Sequence, residues 1–273
     1  MVFIDRPDTA FLFGCERIAE LNLLKVQKAT PQVSKPHAAQ QTSPNLENLL
    51  EELKDLFDNS NLPPIHGFKA HLPVKPDAQN RLFKAMFVPY SLRSKIETES
   101  KRLEKLDIIS KVAAAEFSTT PNVPVLKPNG QVRICKDFKV TVNRYLDLTQ
   151  YSLPHIEEIF ERLSGRTVYS KLDRPVAYRQ VELDEESKRH VIITTHKGLY
   201  FYYRLCFGIA SVPAIFQGII EQILQPIKEV QPYLDDITLK GINDRDHLQV
   251  LRHTFSTLRQ AGVKLKREKC VFM

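Results

Sequence analysis

Two adjacent carboxylates, Asp235-Asp236, interrupt a run of apolar and β-prone residues from Val230 to Lys240. No other feature constrains the fold as tightly. The run reads as a hairpin bent at Leu234-Asp235-Asp236, and two like charges about 4 Å apart cost on the order of 1–4 kcal/mol at effective dielectrics of 80 to 20. Something cationic should therefore sit against the bend. A third carboxylate, Asp173, ends a separate run, Thr167 to Asp173, which reads as a strand. Its period of two puts Tyr169, Lys171 and Asp173 on one face and Val168, Ser170 and Leu172 on the other. Three carboxylates from two strands suit hard, oxygen-loving divalent ions such as Mg²⁺. Two ions so held activate an attacking hydroxyl and stabilise a leaving group. On spacing alone the competing reading, a solvated Asp-Asp turn, is the commoner one.

The rest of the chain alternates strands and helices. Residues 29–45 hold three prolines and few large apolar side chains, which reads as a linker. After it, Ser43 can cap a helix with Pro44 at its first position and Leu46, Leu49, Leu50, Leu53, Leu56 and Phe57 on one face. Alternation at Phe68, Ala70, Leu72 and Val74 predicts a strand over 67–75. A charged helix over 91–107 follows, with Leu92, Ile96, Leu103 and Leu106 inward. Val123 to Leu126 and Gln131 to Phe138 flank Pro128-Asn129-Gly130, a hairpin signal. There Val132 and Ile134 point one way, and Arg133, Cys135 and Asp137 the other. Further on come a helix opened by Pro154, strands near 190–195 and 199–205, a helix from about Pro213, and a helix over 246–260 stopped by Gly262. This order fits an α+β fold with a palm-like sheet covered on one face.

Composition narrows the setting. The 273 residues are 42% apolar, enough for one or two cored domains. Cys15, Cys135, Cys206 and Cys270 lie far apart with no C-x-x-C pair, which argues against structural zinc or a disulfide scaffold. No stretch reaches the roughly 18 apolar residues of a membrane span, and Met1 to Asp8 lacks the apolar run of a signal peptide. An intracellular chain with no membrane partner is expected. Residues 61–273 hold 33 Lys+Arg against 23 Asp+Glu, whereas residues 1–60 hold 6 against 9. A surplus of that size can steer a polyanion.

The residues around the carboxylates resemble one family. Tyr233-Leu234-Asp235-Asp236 is similar to the Tyr-x-Asp-Asp box of reverse transcriptases. Ser170-Lys171-Leu172-Asp173 with Ala177-Tyr178 and Gln180 is similar to their first catalytic motif. Phe207-Gly208-Ile209-Ala210-Ser211 with Pro213-Ala214-Ile215-Phe216-Gln217 resembles the template-grip segment, and Val123-Pro124-Val125-Leu126-Lys127 through Arg133, Asp137-Phe138-Lys139 and Asn143 resembles the fingers hairpin. The boxes follow the family order from about residue 65 to 272, and they look most like those of gypsy-class long-terminal-repeat retrotransposons.

The resemblance implies the fingers and palm of a right-hand polymerase over 46–273, without the thumb. The implied reaction is RNA-directed DNA synthesis: deoxynucleoside triphosphates are added to a primer 3′-hydroxyl on an RNA or DNA template, with two Mg²⁺ or Mn²⁺ ions. It further implies that Asp173, Asp235, Asp236 and the backbone carbonyl of Arg174 bind metal. Lys127, Arg133 and the amides of Val176 and Ala177 would hold the triphosphate, and Tyr178 would gate the sugar. Phe207 and Gln217 would line the nucleotide and template side, and Lys269 would protonate the leaving pyrophosphate. Structural alternatives stand beside these roles: an Arg133–Asp137 pair, a core Tyr178 or Phe207, a solvated Lys269. A cytoplasmic setting, bare or within virus-like particles, goes with the family; oligomeric state stays open.

Some positions depart from the family pattern. Arg174 stands where a small or apolar residue is usual, Pro175 removes an N–H, Cys206 replaces a proline, and Phe117 replaces a tryptophan. Residues 1–28, with Ala10 to Ile18 resembling the last helix of a retropepsin-like protease, read as a remnant of the same polyprotein without its catalytic loop. Three readings follow: a working polymerase fragment, an inactive relic that at most binds nucleic acid, and an interaction module unrelated to nucleic acid.

Overall fold

The computed structural model describes residues 3–4, 11–12, 44–115, 117–126, 132–147, 154–174 and 177–272. The chain divides into two units, Met1–Gln41 and Thr42–Met273. In the first, β1 (Phe3–Ile4) pairs antiparallel with β2 (Phe11–Leu12). Phe11 and Leu12 therefore lie in a strand and not in the helix expected there; the rest of 10–18 is outside the described residues.

The second unit opens with α1 (Pro44–Glu52), whose proline occupies the first helical position as expected. A 3-10 turn, Lys54–Phe57, continues it, and Leu46, Leu49, Leu50, Leu53 and Leu56 are all buried. Of the strand expected over 67–75, Lys69–Ala70 (β3) pairs, and Val74 makes one isolated bridge with Leu146. The Leu72 amide donates to the Ser187 hydroxyl at 2.7 Å and leaves the ladder, and Pro73 and Pro76, with no N–H to give, confine the rest to that bridge. Next comes α2 (Tyr90–Lys105), with Ile96 and Leu103 buried.

A five-stranded sheet follows, in the order β4 (Ile109–Val112), β10 (Gly198–Tyr202), β9 (Ile192–Thr195), β5 (Thr119–Leu126), β6 (Val132–Lys136). All its neighbours are antiparallel except β5 with β9. The β5–β6 hairpin has the predicted alternation, with Val132 and Ile134 buried and Arg133 exposed; its turn lies outside the described residues. Between the sheets come α3 (Ile156–Leu163) and the short elements β8 (Glu182–Leu183), parallel to β3, and α4 (Glu185–Lys188).

The palm-like sheet has three antiparallel strands, β11 (Val230–Tyr233), β12 (Asp236–Gly241) and β7 (Val168–Asp173), with β12 in the middle. Helices α5 (Val212–Leu224) and α6 (Asp244–Gln260) pack on one face, where Leu172, Ile237 and Leu239 are wholly buried. The opposite face carries Tyr169, Lys171 and Asp173. Asn243 caps α6 by accepting from the Asp246 amide, and Gly262, at φ +78°, ends it. The first turn of α6 lies so close to β12 that a Cβ on Gly241 would stand 2.6 Å from His247 Cβ and 2.8 Å from its Cα.

Candidate active site

Strand register places the carboxylates. Asp173, the last residue of β7, is directly opposite Asp236, the first of β12. Asp235 occupies the turn between them and β11. After α6, the chain returns along β7: Lys171 and Val271 exchange two backbone bonds of 2.7 and 2.8 Å, and the Lys266 amide donates to the Asp173 carbonyl at 2.9 Å. That return brings the Lys269 ammonium to 3.7 Å from Asp173 Oδ2, while Lys171 Nζ stands 2.8 Å from Asp236 Oδ2. The cation expected at the Asp-Asp bend is thus present, and from three directions.

The third cation, Arg174, is buried and also borders the cleft above Asp173 and Asp235. Arg174 continues the alternation of Leu172 and turns inward, where it is 3% exposed. Its Nε donates to the Asp235 carbonyl at 3.4 Å, its Nη2 donates to the Leu234 carbonyl, and its guanidinium lies 4.7 Å from the Phe216 ring centre. Burial pulls its pKa down to about 10, against the opposing pull of Asp235 and Asp236. Asp235 shows the complementary effect: desolvation on its protein side, and then Asp173 and Asp236, push its carboxyl up, with Arg174 holding it back.

Leu234 supports the tip at φ +50°, a left-handed conformation that leucine disfavours. Gln217 helps to hold it there. The Gln217 side chain, 0% exposed, accepts from the Leu234 amide at 2.8 Å and donates to the Pro232 carbonyl at 2.9 Å and to Glu221 Oε1 at 2.7 Å.

A cleft of about 510 Å³ opens above Asp173 and Asp235. Its walls bring Arg102, Arg133, Lys136, Arg179 and Lys269 from α2, β6, the turn after β7 and the returning segment, and Phe207 from the loop before α5. Asn143 pins that loop, donating to the Gly208 carbonyl at 2.8 Å and accepting from the Ala210 amide at 3.0 Å. Gly208 is needed there: its φ is +101°, and a Cβ would meet the Lys136 carbonyl at 3.2 Å. A hollow of about 480 Å³ at the other edge of the sheet is lined by Arg162, Glu221 and Lys228 and holds none of the three aspartates. The convergent chemistry is in the cleft.

Residues 125–273 match the family described as Reverse transcriptase (RNA-dependent DNA polymerase). The chain belongs to the reverse transcriptase family. It is 36% identical over 205 residues to Uncharacterized protein K02A2.6 of Caenorhabditis elegans, an alignment covering 75% of this chain and 16% of that protein. It is 26% identical over 235 residues to Transposon Tf2-3 polyprotein of Schizosaccharomyces pombe, covering 84% and 17%. The chain spans about a sixth of the length of these curated relatives. Among solved structures, native Prototype Foamy Virus Protease-Reverse Transcriptase is similar with a TM-score of 0.74 and 23% identity, over 83% of this chain and 30% of that one. The foamy viral protease-reverse transcriptase in complex with RNA/DNA hybrid gives 0.74 and 19%, over 93% and 36%. The architecture is therefore that of reverse transcriptase fingers and palm.

Within this chain, Asp173, Asp235, Arg133, Phe207 and Lys269 share the cleft, and Asp236 adjoins it through its register with Asp173. Gln217, expected on the nucleotide and template side, is buried on the inward face of α5 and supports the hairpin tip. Tyr178 is 7% exposed, packed 4.8 Å from Phe207 and 5.2 Å from Phe216 by ring centres, and burial pushes its phenol up to about 12. Ala177 opens the 3-10 helix Ala177–Gln180, while Lys127 and Val176 lie outside the described residues. The Asp137 side chain accepts from the Lys139 amide at 3.3 Å, so its role is to cap a turn; Arg133 stays in the cleft wall. Gln180, read as part of the first catalytic motif, is buried and ties two backbone segments by three bonds, to Pro63 and to Gly262 and Lys264. Lys136, Arg102 and Arg179 are cleft cations that the motif reading missed. The alternation of β6 offers no signal for Lys136, whose ammonium stacks 4.3 Å over the buried Tyr202 ring.

Hard oxygen donors are present for a divalent ion. As placed, however, Lys171 and Lys269 stand among them, and no group of three metal-binding side chains is closed around an ion position among the described residues. The donor chemistry suits a hard divalent ion such as Mg²⁺ or Mn²⁺, and the two lysines set against it are exposed.

Proposed function

We propose that this chain is the fingers-and-palm portion of an RNA-directed DNA polymerase encoded in a gypsy-class retrotransposon polyprotein, with residues 1–28 a protease remnant and 29–45 a linker. Its reaction would add deoxynucleotides to a primer 3′-hydroxyl on an RNA or DNA template. One observation carries this reading: Asp173 and Asp236 face each other in register, with Asp235 at the adjoining tip, on the floor of a cation-walled cleft.

Asp173, Asp235 and Asp236, with the Arg174 carbonyl, would hold the divalent ions, which when bound supply charge neutralisation for the attacking and leaving oxygens. The chain's own groups do the rest. Arg133 presents a planar fork to the triphosphate, and Lys127, with the amides of Val176 and Ala177, would complete that grip. Tyr178, braced by Phe207 and Phe216, bounds the sugar position. Lys269, 3.7 Å from Asp173 Oδ2, would give a proton to the departing pyrophosphate. The basic surplus of residues 61–273 suits the template and primer backbones. Among the described residues no helix is long and apolar enough to cross a membrane, which accords with work in the cytoplasm or in virus-like particles.

The test is extension of a labelled primer on RNA and DNA templates with deoxynucleotides and Mg²⁺ or Mn²⁺. Extension that is lost in Asp235→Asn while template binding persists supports the reading. Salt-sensitive binding with no extension by the unaltered chain would replace it with the inactive nucleic-acid-binding relic.

A further inference from the structure

No step of the proposed reaction uses the side chain of Arg174, yet it is the most deeply buried cation beside the carboxylates. The residue is 3% exposed. The Leu234 and Asp235 carbonyls accept from it and the Phe216 ring lies against it, at the inner margin of the cleft, and its Nη1 has no hydrogen-bond partner among the described residues. A buried charge is tolerated when paired and hydrogen-bonded, and here compensation comes from two carbonyls and the field of three carboxylates. The position alternates with Leu172, so an apolar side chain would occupy it at no desolvation cost. The arginine therefore has a consequence that an apolar residue lacks.

We propose that Arg174 is a positioning residue that fixes the hairpin tip and, as a permanent internal cation, lowers the affinity of the Asp173, Asp235 and Asp236 set for divalent ions. This deepens the polymerase reading and rests on it for the identity of the ion-binding carboxylates. The geometry separates Arg174 from the other two cations. Lys171 and Lys269 have side chains 50% and 60% exposed on flexible stems, so water screens them and they can leave. Arg174 is tethered by its neighbours and stays. Its Nη2 fixes the carbonyl of Leu234, the residue at positive φ, while Gln217 fixes the amide of the same residue. The tip is thus held before any ion arrives, and the ion then meets a positive charge that cannot move away. A fixed unit charge at such range is worth on the order of tenfold in the affinity of a divalent ion.

The experiment titrates the full chain with Mn²⁺ alone, without nucleotide or nucleic acid, and reads free Mn²⁺ by electron paramagnetic resonance. Arg174→Met and Arg174→Gln should each bind Mn²⁺ about tenfold more tightly than the unaltered chain, and Arg174→Lys within about threefold of it. Lys171→Met should shift the affinity by less than about threefold. Adding Asp235→Asn to Arg174→Met should remove the gain. The backbone bond from the Arg174 amide to the Asp235 carbonyl, 3.2 Å, remains in every variant, and the Gln variant keeps an N–H to offer if the Met variant does not fold. Unchanged Mn²⁺ affinity in folded neutral variants, or a larger shift from Lys171→Met than from Arg174→Met, overturns the inference. Tenfold tighter Mn²⁺ binding in a chain that never extends a primer upholds it while removing the polymerase reading. Extension together with unaltered affinity removes this inference alone.

Discussion

Asp173 and Asp236 stand directly opposite each other on neighbouring antiparallel strands, and each has its own lysine: Lys269 at 3.7 Å and Lys171 at 2.8 Å. Both lysines are half exposed or more, so the pairs are replaceable by ions without unfolding the sheet. Lys269 reaches Asp173 because the segment after α6 runs back along β7.

Lys269→Ala should leave the melting temperature nearly unchanged, a stability effect within about 0.5 kcal/mol for an exposed side chain. Single-turnover nucleotide addition should slow by roughly 10²-fold with little change in primer-template affinity, as loss of a proton donor predicts. An unaltered rate would return Lys269 to the status of a solvated lysine.

Gln217→Ala tests the bracing of the tip. The substitution leaves the Leu234 amide without its buried partner and the Pro232 carbonyl with the Gln231 side chain as its remaining donor, a loss of about 1–3 kcal/mol in urea or thermal unfolding. Glutamate at this position should be no rescue, because it cannot donate to Pro232. Stability equal to the unaltered chain would contradict the buried bridge.

The ion-free protein should gain stability as pH falls through the window between the raised value of Asp235 and its ordinary 3.8. In that window the folded state binds more protons than the unfolded one, so the cost of the charged carboxyl is fully present above it and relieved within it. Asp235→Asn should flatten this segment of the curve of melting temperature against pH and be the more stable protein near neutrality. Superimposable curves for the two proteins would dismiss the desolvated carboxylate.

Gly241→Ala drives a methyl into the backbone of His247, which cannot rotate away as a side-chain end could. Overpacking of this kind costs about 1–3 kcal/mol, and more where backbone must shift. Differential scanning calorimetry should show the loss, and the misplacement of α6 against β12 should leave secondary-structure content nearly intact.

Asn143→Ala cuts both bonds that hold Gly208 and Ala210. Phe207, 48% exposed at the cleft mouth, then loses its fixed base. The expected outcome in a steady-state extension assay is a rise in the nucleotide KM exceeding the fall in kcat, with a stability loss of about 1 kcal/mol.

Much of the fold was legible because its signals are local. Alternation of polar and apolar residues located β6, β7 and the β11–β12 hairpin, and leucine spacing, Pro44 and Gly262 marked helix limits that the structure reproduces within a few residues. The strand over 67–75 shortened because alternation says nothing about the missing N–H groups of Pro73 and Pro76. Gln217 and Gln180 carry polar side chains inside motifs that resemble the family's, and a motif does not say which face of the element it occupies.

The sequence by itself determined which groups this protein has for chemistry: three carboxylates at the ends of two strands, a positive surplus in the larger unit, and an arginine where an apolar residue would serve. Tertiary structure decided how they meet. Register set Asp236 against Asp173, the return of residues 266–272 along β7 delivered Lys269, and the inward phase of Arg174 made it a buried strut under the hairpin tip. Side-chain type and local period are properties of neighbouring residues, whereas register, cleft and charge compensation arise between segments tens of residues apart, where packing and desolvation choose the partners.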